Sequence, residues 1–260
     1  MNIKLKIGKT VHENAARYYE QAKEARKKMD GLKQAIEETK KEMIKSEKKA
    51  KENKKLIKTK KEKKWFEKLH WFYTSKGKMA IGGRNAQQND QVVSKYMEDR
   101  DLFFHADIQG ATVVILKDGI DAEDSELLET AQFAASFSNA WKNGNASVDV
   151  YAVKKDQLAK HTSGGYIPTG AFAITGERKW FKKMKMALRL GRSPMVEGGG
   201  ILIVPENCTK KLENEVTLFP AAAGKDKGEL TKTLAKRFAV HPDELMEVLP
   251  NGKTKMVYKD

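Results

Sequence analysis

The first 64 residues contain no proline and only two glycines, Gly8 and Gly31, so nothing in that stretch forbids one uninterrupted helix. The apolar spacing asks for one. Val11, Ala15, Tyr18, Ala22, Ala25, Met29, Leu32 and Ile36 fall 4, 3, 4, 3, 4, 3 and 4 residues apart, a heptad seam of period 3.5. The register continues through Thr39, Met43, Ser46, Ala50, Asn53 and Ile57, with polar residues in half of the positions. This pattern predicts a coiled-coil helix from about Thr10 to about Glu62, looser in its second half, after a short tail over residues 1–9. A seam needs a partner, and no second heptad segment follows it. The partner is expected in another copy or in a segment outside this sequence.

Charge separates the same stretch from the rest. Residues 1–64 hold 22 Lys/Arg against 10 Asp/Glu, whereas residues 65–260 hold 28 against 25. Most of the net charge of +15 therefore lies on the helix. Its outer faces (Lys48, Lys49, Lys51, Lys54, Lys55, Lys58, Lys60, Lys61, Lys63 and Lys64) suit either a solvated surface or a stripe that follows phosphates. A surplus of this size points towards a polyanionic partner. The only cysteine, Cys208, excludes an intrachain disulfide. It equally excludes zinc sites built from four cysteines, or from two cysteines and two histidines. No apolar run approaches the roughly 20 residues that cross a bilayer, and Met1 to Thr10 has no signal-peptide core. The expectation is a soluble cytoplasmic protein with no membrane partner.

After Lys64 the texture is that of an α+β domain with a mixed, mostly antiparallel sheet and packed helices. Strands are expected at 70–74, 78–82, 102–106, 111–117, 148–153, 171–175, 184–190 and 201–204. Helices are expected at 89–97, 125–141, 229–238 and 242–248. The domain core is placed at 65–190, with 191–260 as the C-terminal part of the same domain.

Catalytic signatures are missing from the sequence: no phosphate loop, no GxGxxG, no GxSxG elbow, no HExxH. His105 and Asp107 stand two apart and could share a face as half a metal site or an acid–base pair. The plainer alternative makes Asp107 a turn cap before Gly110 and His105 a polar core residue, and it is preferred. The segment Gly82-Gly83-Arg84-Asn85-Ala86-Gln87-Gln88-Asn89 pairs a tight glycine turn with an arginine and a run of amides. Asn89 or Asp90 is the expected cap of the next helix. From Arg178 to Arg192, seven basic residues (Arg178, Lys179, Lys182, Lys183, Lys185, Arg189, Arg192) surround Trp180 and Phe181. Cations beside aromatics are what RNA phosphates and bases require.

Read together, several segments resemble one family. Trp65 to Phe72, Ile81 to Asn89, Phe104 to Ala111 and Ser163 to Phe172 are similar, in that order, to motifs of the NFACT-R domain. This domain belongs to the ribosome-associated quality-control factors, also called fibronectin-binding protein A-like proteins (NEMF in animals). His12 to Glu20 is similar to the family's middle coiled-coil helix. The segment Lys225 to Leu230 looks like the tail of archaeal members.

The resemblance implies the C-terminal half of a factor that carries NFACT-N, helix-hairpin-helix and coiled-coil hairpin segments before NFACT-R. It implies binding of tRNA and large-subunit ribosomal RNA on stalled nascent-chain complexes, no enzymatic activity of its own, and no cofactor or metal. Residues expected at RNA are Arg84, Asn85, Gln87, Gln88, His105, Asp107, Gln109, Arg178, Lys179, Trp180, Lys182, Lys183, Lys185 and Arg189. Gly82, Gly83, Gly110 and Gly170 are expected to shape the motifs. A different class of function is a protein-interaction scaffold, in which the coiled coil recruits a quality-control ubiquitin ligase or a surface protein.

Overall fold

A computed structural model describes residues 4–56, 64–162, 165–196 and 199–258, with the backbone alone at 44–56, 162 and 166. The chain divides into two compact units, Met1–Lys60 and Lys61–Asp260.

The first unit is the expected helix, α1 (Val11–Leu56). Thr10 starts it with a reciprocal cap. Its hydroxyl accepts the Glu13 N–H at 3.3 Å, while its own N–H donates to Glu13 Oε2 at 2.8 Å. Residues 4–10 fold back on the first turns, where buried Asn14 bonds both ways with the Lys6 backbone and the Tyr18 hydroxyl donates to the Lys4 carbonyl. Along the seam beyond them, Met29, Leu32 and Ile36 are 53–63% exposed among the described residues. The helix is therefore found, and among the described residues the coiled-coil pairing is not. The last predicted turns, 57–62, and Lys58, Lys60, Lys61 and Lys63 lie outside the described residues.

The second unit opens on a 3-10 turn (Trp65–Lys68), then β1 (His70–Tyr73) and β2 (Met79–Gly82), which pair as an antiparallel hairpin. α2 (Ala86–Gln91) runs into a π-helical turn (Val92–Tyr96), and β3 (Leu102–Ala106) and β4 (Val114–Leu116) follow. α3 (Asp124–Ser136), α4 (Asn139–Lys142) and β5 (Ser147–Lys154) come next. The two-residue strands β6 (Leu158–Ala159), β7 (His161–Thr162), β8 (Gly165–Tyr166) and β9 (Ala173–Ile174) precede β10 (Lys179–Lys185) and β11 (Leu188–Arg192). The chain closes with β12 (Ile201–Pro205), β13 (Glu213–Lys225), α5 (Lys227–Phe238), α6 (Pro242–Val248) and β14 (Thr254–Tyr258).

Two antiparallel sheets organise the unit. One runs β1-β2-β4-β3-β5-β10 and the other β12-β11-β13-β14. α3 packs on β3, β5 and β10 and reaches β12, so it covers one face of the larger sheet and meets the smaller one. The shared core includes Phe72, Phe104, Phe133, Trp141, Leu188, Leu190 and Leu218.

Several boundaries differ from the sequence reading for local reasons. The single helix expected at 125–141 is cut at Ser138. Its hydroxyl donates to the Ala135 carbonyl and accepts the Ala140 N–H, ending one helix and capping the next. The helix expected from Asn89 begins at Ala86 instead. The cap is Asn85, whose Oδ1 accepts the Gln88 N–H at 2.9 Å. Asn89 is buried, with Oδ1 bonded to the Val113 N–H at 3.2 Å. The strand expected at 184–190 is two strands in different sheets, turned at buried Met186 and Ala187. β13 and β14 have no counterpart among the expected strands. Pro220, three alanines and Gly224 make β13 a poor strand by propensity, and its pairing with β14 is irregular between Pro220 and Lys225.

Candidate functional site

β3, β5 and β10 are adjacent, and their register sets His105 opposite Tyr151 and Tyr151 opposite Trp180. Side chains alternate across a sheet. These three therefore form a row on one face, while Phe104, Ala152 and Phe181 take the other, buried face. The Tyr151 ring lies 5.8 Å from His105 and 5.5 Å from Trp180, with its hydroxyl 3.5 Å from His105 Nδ1. The Arg178 guanidinium stands 4.6 Å over the Tyr151 ring, and the Lys182 ammonium 3.9 Å over Trp180. Trp180 keeps 38% of its surface exposed. Tyr151 itself is buried, so the row is open at its Trp180 end, with Arg178 and Lys182 lying over its rings.

At the His105 end of the row lies a cleft of about 420 Å³. Its walls come from the turn 83–85 with Ala86 and Asn89 of α2, and from loops 109–112 and 169–172, together with Phe103, His105 and Tyr151. Three motifs separated in sequence thus meet in one place. Glycines allow the approach. Gly170 has φ +81°, and a Cβ there would stand 2.7 Å from Ala86 Cα. Gly110 has φ +78° and lies against the Asn139 amide, which donates to the Gln109 carbonyl at 2.9 Å. Gly82 ends β2, and the Gly83 N–H donates to the Val113 carbonyl at 3.1 Å.

The expected RNA residues divide sharply. Asn85, Gln87, Asp107 and Gln109 are exposed, with Asn85 and Gln109 at the cleft. Gln88 is turned back, its Oε1 accepting the Arg84 N–H. Arg84 lines the cleft but spends its guanidinium inside the domain. It donates to the Glu67 and Leu69 carbonyls at 3.1 and 3.0 Å and pairs with Glu247 at 3.4 Å. Burial lowers its pKa, an effect that Glu247 opposes. Burial also lowers the pKa of His105, against backbone hydrogen bonds and Asp107, which raise it. His105 is therefore a neutral ring at pH 7.

Lys179, Lys182, Lys183 and Lys185 are exposed on β10. Their partners are Asp124 for Lys179, Asp149 for Lys182 and for the Lys183 N–H, and Glu206 for Lys185. The bonds from Lys183 and Lys182 hold the Asp149 carboxyl below its ordinary pKa. Arg189 belongs elsewhere. On β11 its side chain is 13% exposed, pairs with Glu215 at 2.6 Å and donates to the Cys208 and Lys210 carbonyls. Arg192 likewise donates to the Gly199 and Phe238 carbonyls.

Two site residues are absent from the set expected on sequence grounds. Tyr151 sits in an alternating strand that reads simply as structure, and its opposite parity to Val150 and Ala152 is the available signal. Phe172, within the third motif, also lines the cleft. Ser163 and Gly164 of that motif lie outside the described residues. Asp107 donates its N–H to the Asp149 carbonyl at 2.8 Å. Among the described residues no group of three His, Cys, Asp or Glu side chains is placed to hold a metal. No helix among them is long and apolar enough to cross a membrane.

Residues 68–176 match the family described as NFACT protein RNA binding domain. The archaeal Rqc2 homolog aRqcH of Methanocaldococcus jannaschii is 36% identical over 211 residues, covering 78% of this chain and 31% of that protein. The ribosome quality control complex subunit NEMF of Homo sapiens is 30% identical over 251 residues, covering 93% of this chain and 22% of that protein. The Drosophila melanogaster NEMF homolog is 34% identical over 184 residues, covering 68% of this chain and 18% of that protein. The chain thus spans about a third or less of these relatives. The cleft lies wholly within the matched residues and β10 just beyond them. The chain carries an NFACT-R domain and is homologous to the NEMF and RqcH family of ribosome quality-control proteins.

Proposed function

We propose that this chain is a non-catalytic RNA-binding module of a cytoplasmic ribosome-associated quality-control factor. Its ligands are tRNA and large-subunit ribosomal RNA on stalled nascent-chain complexes. The observation that carries this reading is the convergence of three motif loops on one cleft beside the His105–Tyr151–Trp180 row. Stacking of a base on such a ring contributes about 1–3 kcal/mol. The ion pairs on β10 do not argue against phosphate binding, because each involves an exposed lysine. Exposed pairs contribute roughly 0–1 kcal/mol, so a phosphate exchanges with them at small cost. Lysines also discourage edge-to-edge pairing on an outer strand. Arg178 and Lys182 go beyond that role by lying over aromatic rings.

The first test is binding of tRNA by the full chain across a salt series, with duplex DNA as competitor. Affinity that persists at physiological salt and resists the DNA supports a shaped RNA site. Weak binding that is lost equally to DNA means a polybasic surface and rejects the site.

A second reading concerns α1. The exposure of Met29, Leu32 and Ile36 favours a helical partner, which completes a coiled coil. That partner is a further segment of a longer factor or a second copy. As a scaffold, the same seam would recruit a quality-control ubiquitin ligase or a surface protein. Recovery of such a partner after nuclease treatment distinguishes this role from RNA bridging.

A further inference from the structure

The cleft and the strand beside it differ in charge. Its rings are Phe103, His105, Tyr151 and Phe172, and its amides include Asn85 and Gln109. The one arginine in its wall, Arg84, is spent on two carbonyls and Glu247. Lys160, 4.0 Å from the centre of the Phe172 ring, is paired with Asp90 and donates to the Ala171 carbonyl. Burial keeps His105 neutral. A phosphate entering here would lose its hydration without gaining a cation. The cations that lie over the rings of this face, Arg178 and Lys182, stand outside the cleft on or beside β10. The interior thus suits a flat, neutral group with hydrogen-bonding edges, and the rim suits its charged attachment.

We propose that the cleft captures a single unstacked nucleobase of a bound RNA, with the phosphates next to that nucleotide lying along β10. This rests on the RNA-binding reading above and gives it a ligand chemistry. A volume of about 420 Å³ lies in the lower part of the usual range for small-molecule pockets, the scale of one nucleoside. The partly exposed His105 and Phe172 rings supply stacking faces over buried Phe103, and amides carry the donors and acceptors that base edges need. Tyr151 belongs both to the cleft wall and to the row with Trp180. A base held in the cleft and its neighbour on Trp180 would therefore be consecutive nucleotides. Capture favours RNA in which a base is already unpaired, because no pair has to be broken.

The test compares a fully paired RNA duplex with the same duplex carrying one bulged nucleotide, using fluorescence anisotropy and the full chain. The expected result is tighter binding of the bulged RNA, by about tenfold. Thr169 is exposed and lines the cleft, so Thr169→Trp fills the space without entering the core. It is expected to bring the two RNAs within about twofold of each other, with thermal unfolding followed in parallel to show that the variant is folded. An undiminished preference in Thr169→Trp, or no preference in the parent chain while both RNAs still bind, overturns base capture and leaves RNA binding standing. Failure of the parent chain to bind either RNA overturns both. A bulged 2-aminopurine reads the same event without a variant. Its emission should be quenched on binding by stacking on the cleft rings, and unchanged emission with RNA bound contradicts the proposal.

Discussion

β10 and β11 come from one basic run, two residues apart, and meet opposite fates. β10 is the outermost strand of the six-stranded sheet, so Lys179, Lys182 and Lys185 reach solvent, Lys182 over an exposed indole. β11 lies between β12 and β13, so Arg189 is enclosed and held by Glu215 and two carbonyls. The same residue chemistry serves a surface in one strand and a core in the next. Position in the sheet, which local sequence does not reveal, decides which.

The strongest way to break this comparison is Arg189→Ala. It leaves Glu215 charged in a site where its side chain is 11% exposed. Breaking such a pair costs about 3–5 kcal/mol. Denaturant unfolding should show this loss, and RNA affinity of the remaining folded protein should be unchanged. A stable variant that binds RNA poorly would place Arg189 at the interface.

The buried side of the comparison has a second member in His70. Its ring stacks on Phe137 at 4.0 Å, and its Nδ1 is buried with no partner among the described residues. Burial, with Arg84 and Lys227 nearby, holds its pKa well below the ordinary value. The folded ring stays neutral, while the unfolded chain takes up a proton below about pH 6.5. Stability therefore falls as pH drops from near 6.5 towards the folded pKa, by up to about 1.4 kcal/mol per unit for this group. His105 shifts in the same direction. Thermal unfolding at pH 7 and pH 5 checks this. His70→Phe, which keeps a ring against Phe137, should shrink the loss, and an equal loss in the variant would remove His70 as a cause.

The exposed side gives a smaller effect. Lys182→Ala should leave stability nearly unchanged, since its pair with Asp149 is exposed. It should lower the slope of log affinity against log salt by roughly one unit, equally for different RNA sequences. An unchanged slope would mean that Lys182 meets no phosphate.

What the sequence makes legible follows the range of the physics involved. The heptad seam marks α1 because its signal is local and repeats many times. The hairpin of β1 and β2 and the strand β3 are readable from alternation and turn residues. The cleft motifs are recognisable as three separate segments, but nothing local joins residues 83, 110 and 170. For residues 83 and 110 that joining follows from the strand order β2-β4-β3, and Gly170 joins them by packing on Ala86. The same limit explains Arg84. Its spacing beside two glycines suggests a phosphate contact, whereas the carbonyls that occupy it belong to the turn at residues 65–69. Tyr151 is hidden for the reverse reason. A tyrosine in a regular strand looks like core until its neighbours across the sheet are known.

The most direct measurement is RNA affinity of Trp180→Ala beside the parent chain, at one fixed salt concentration, with unfolding followed in parallel. Trp180 is partly open on an edge strand, so the fold should persist. The expected result is a loss of about 1–3 kcal/mol in binding, with little change in melting temperature. Unchanged affinity in a folded variant would contradict the assignment of the His105–Tyr151–Trp180 face as the RNA surface.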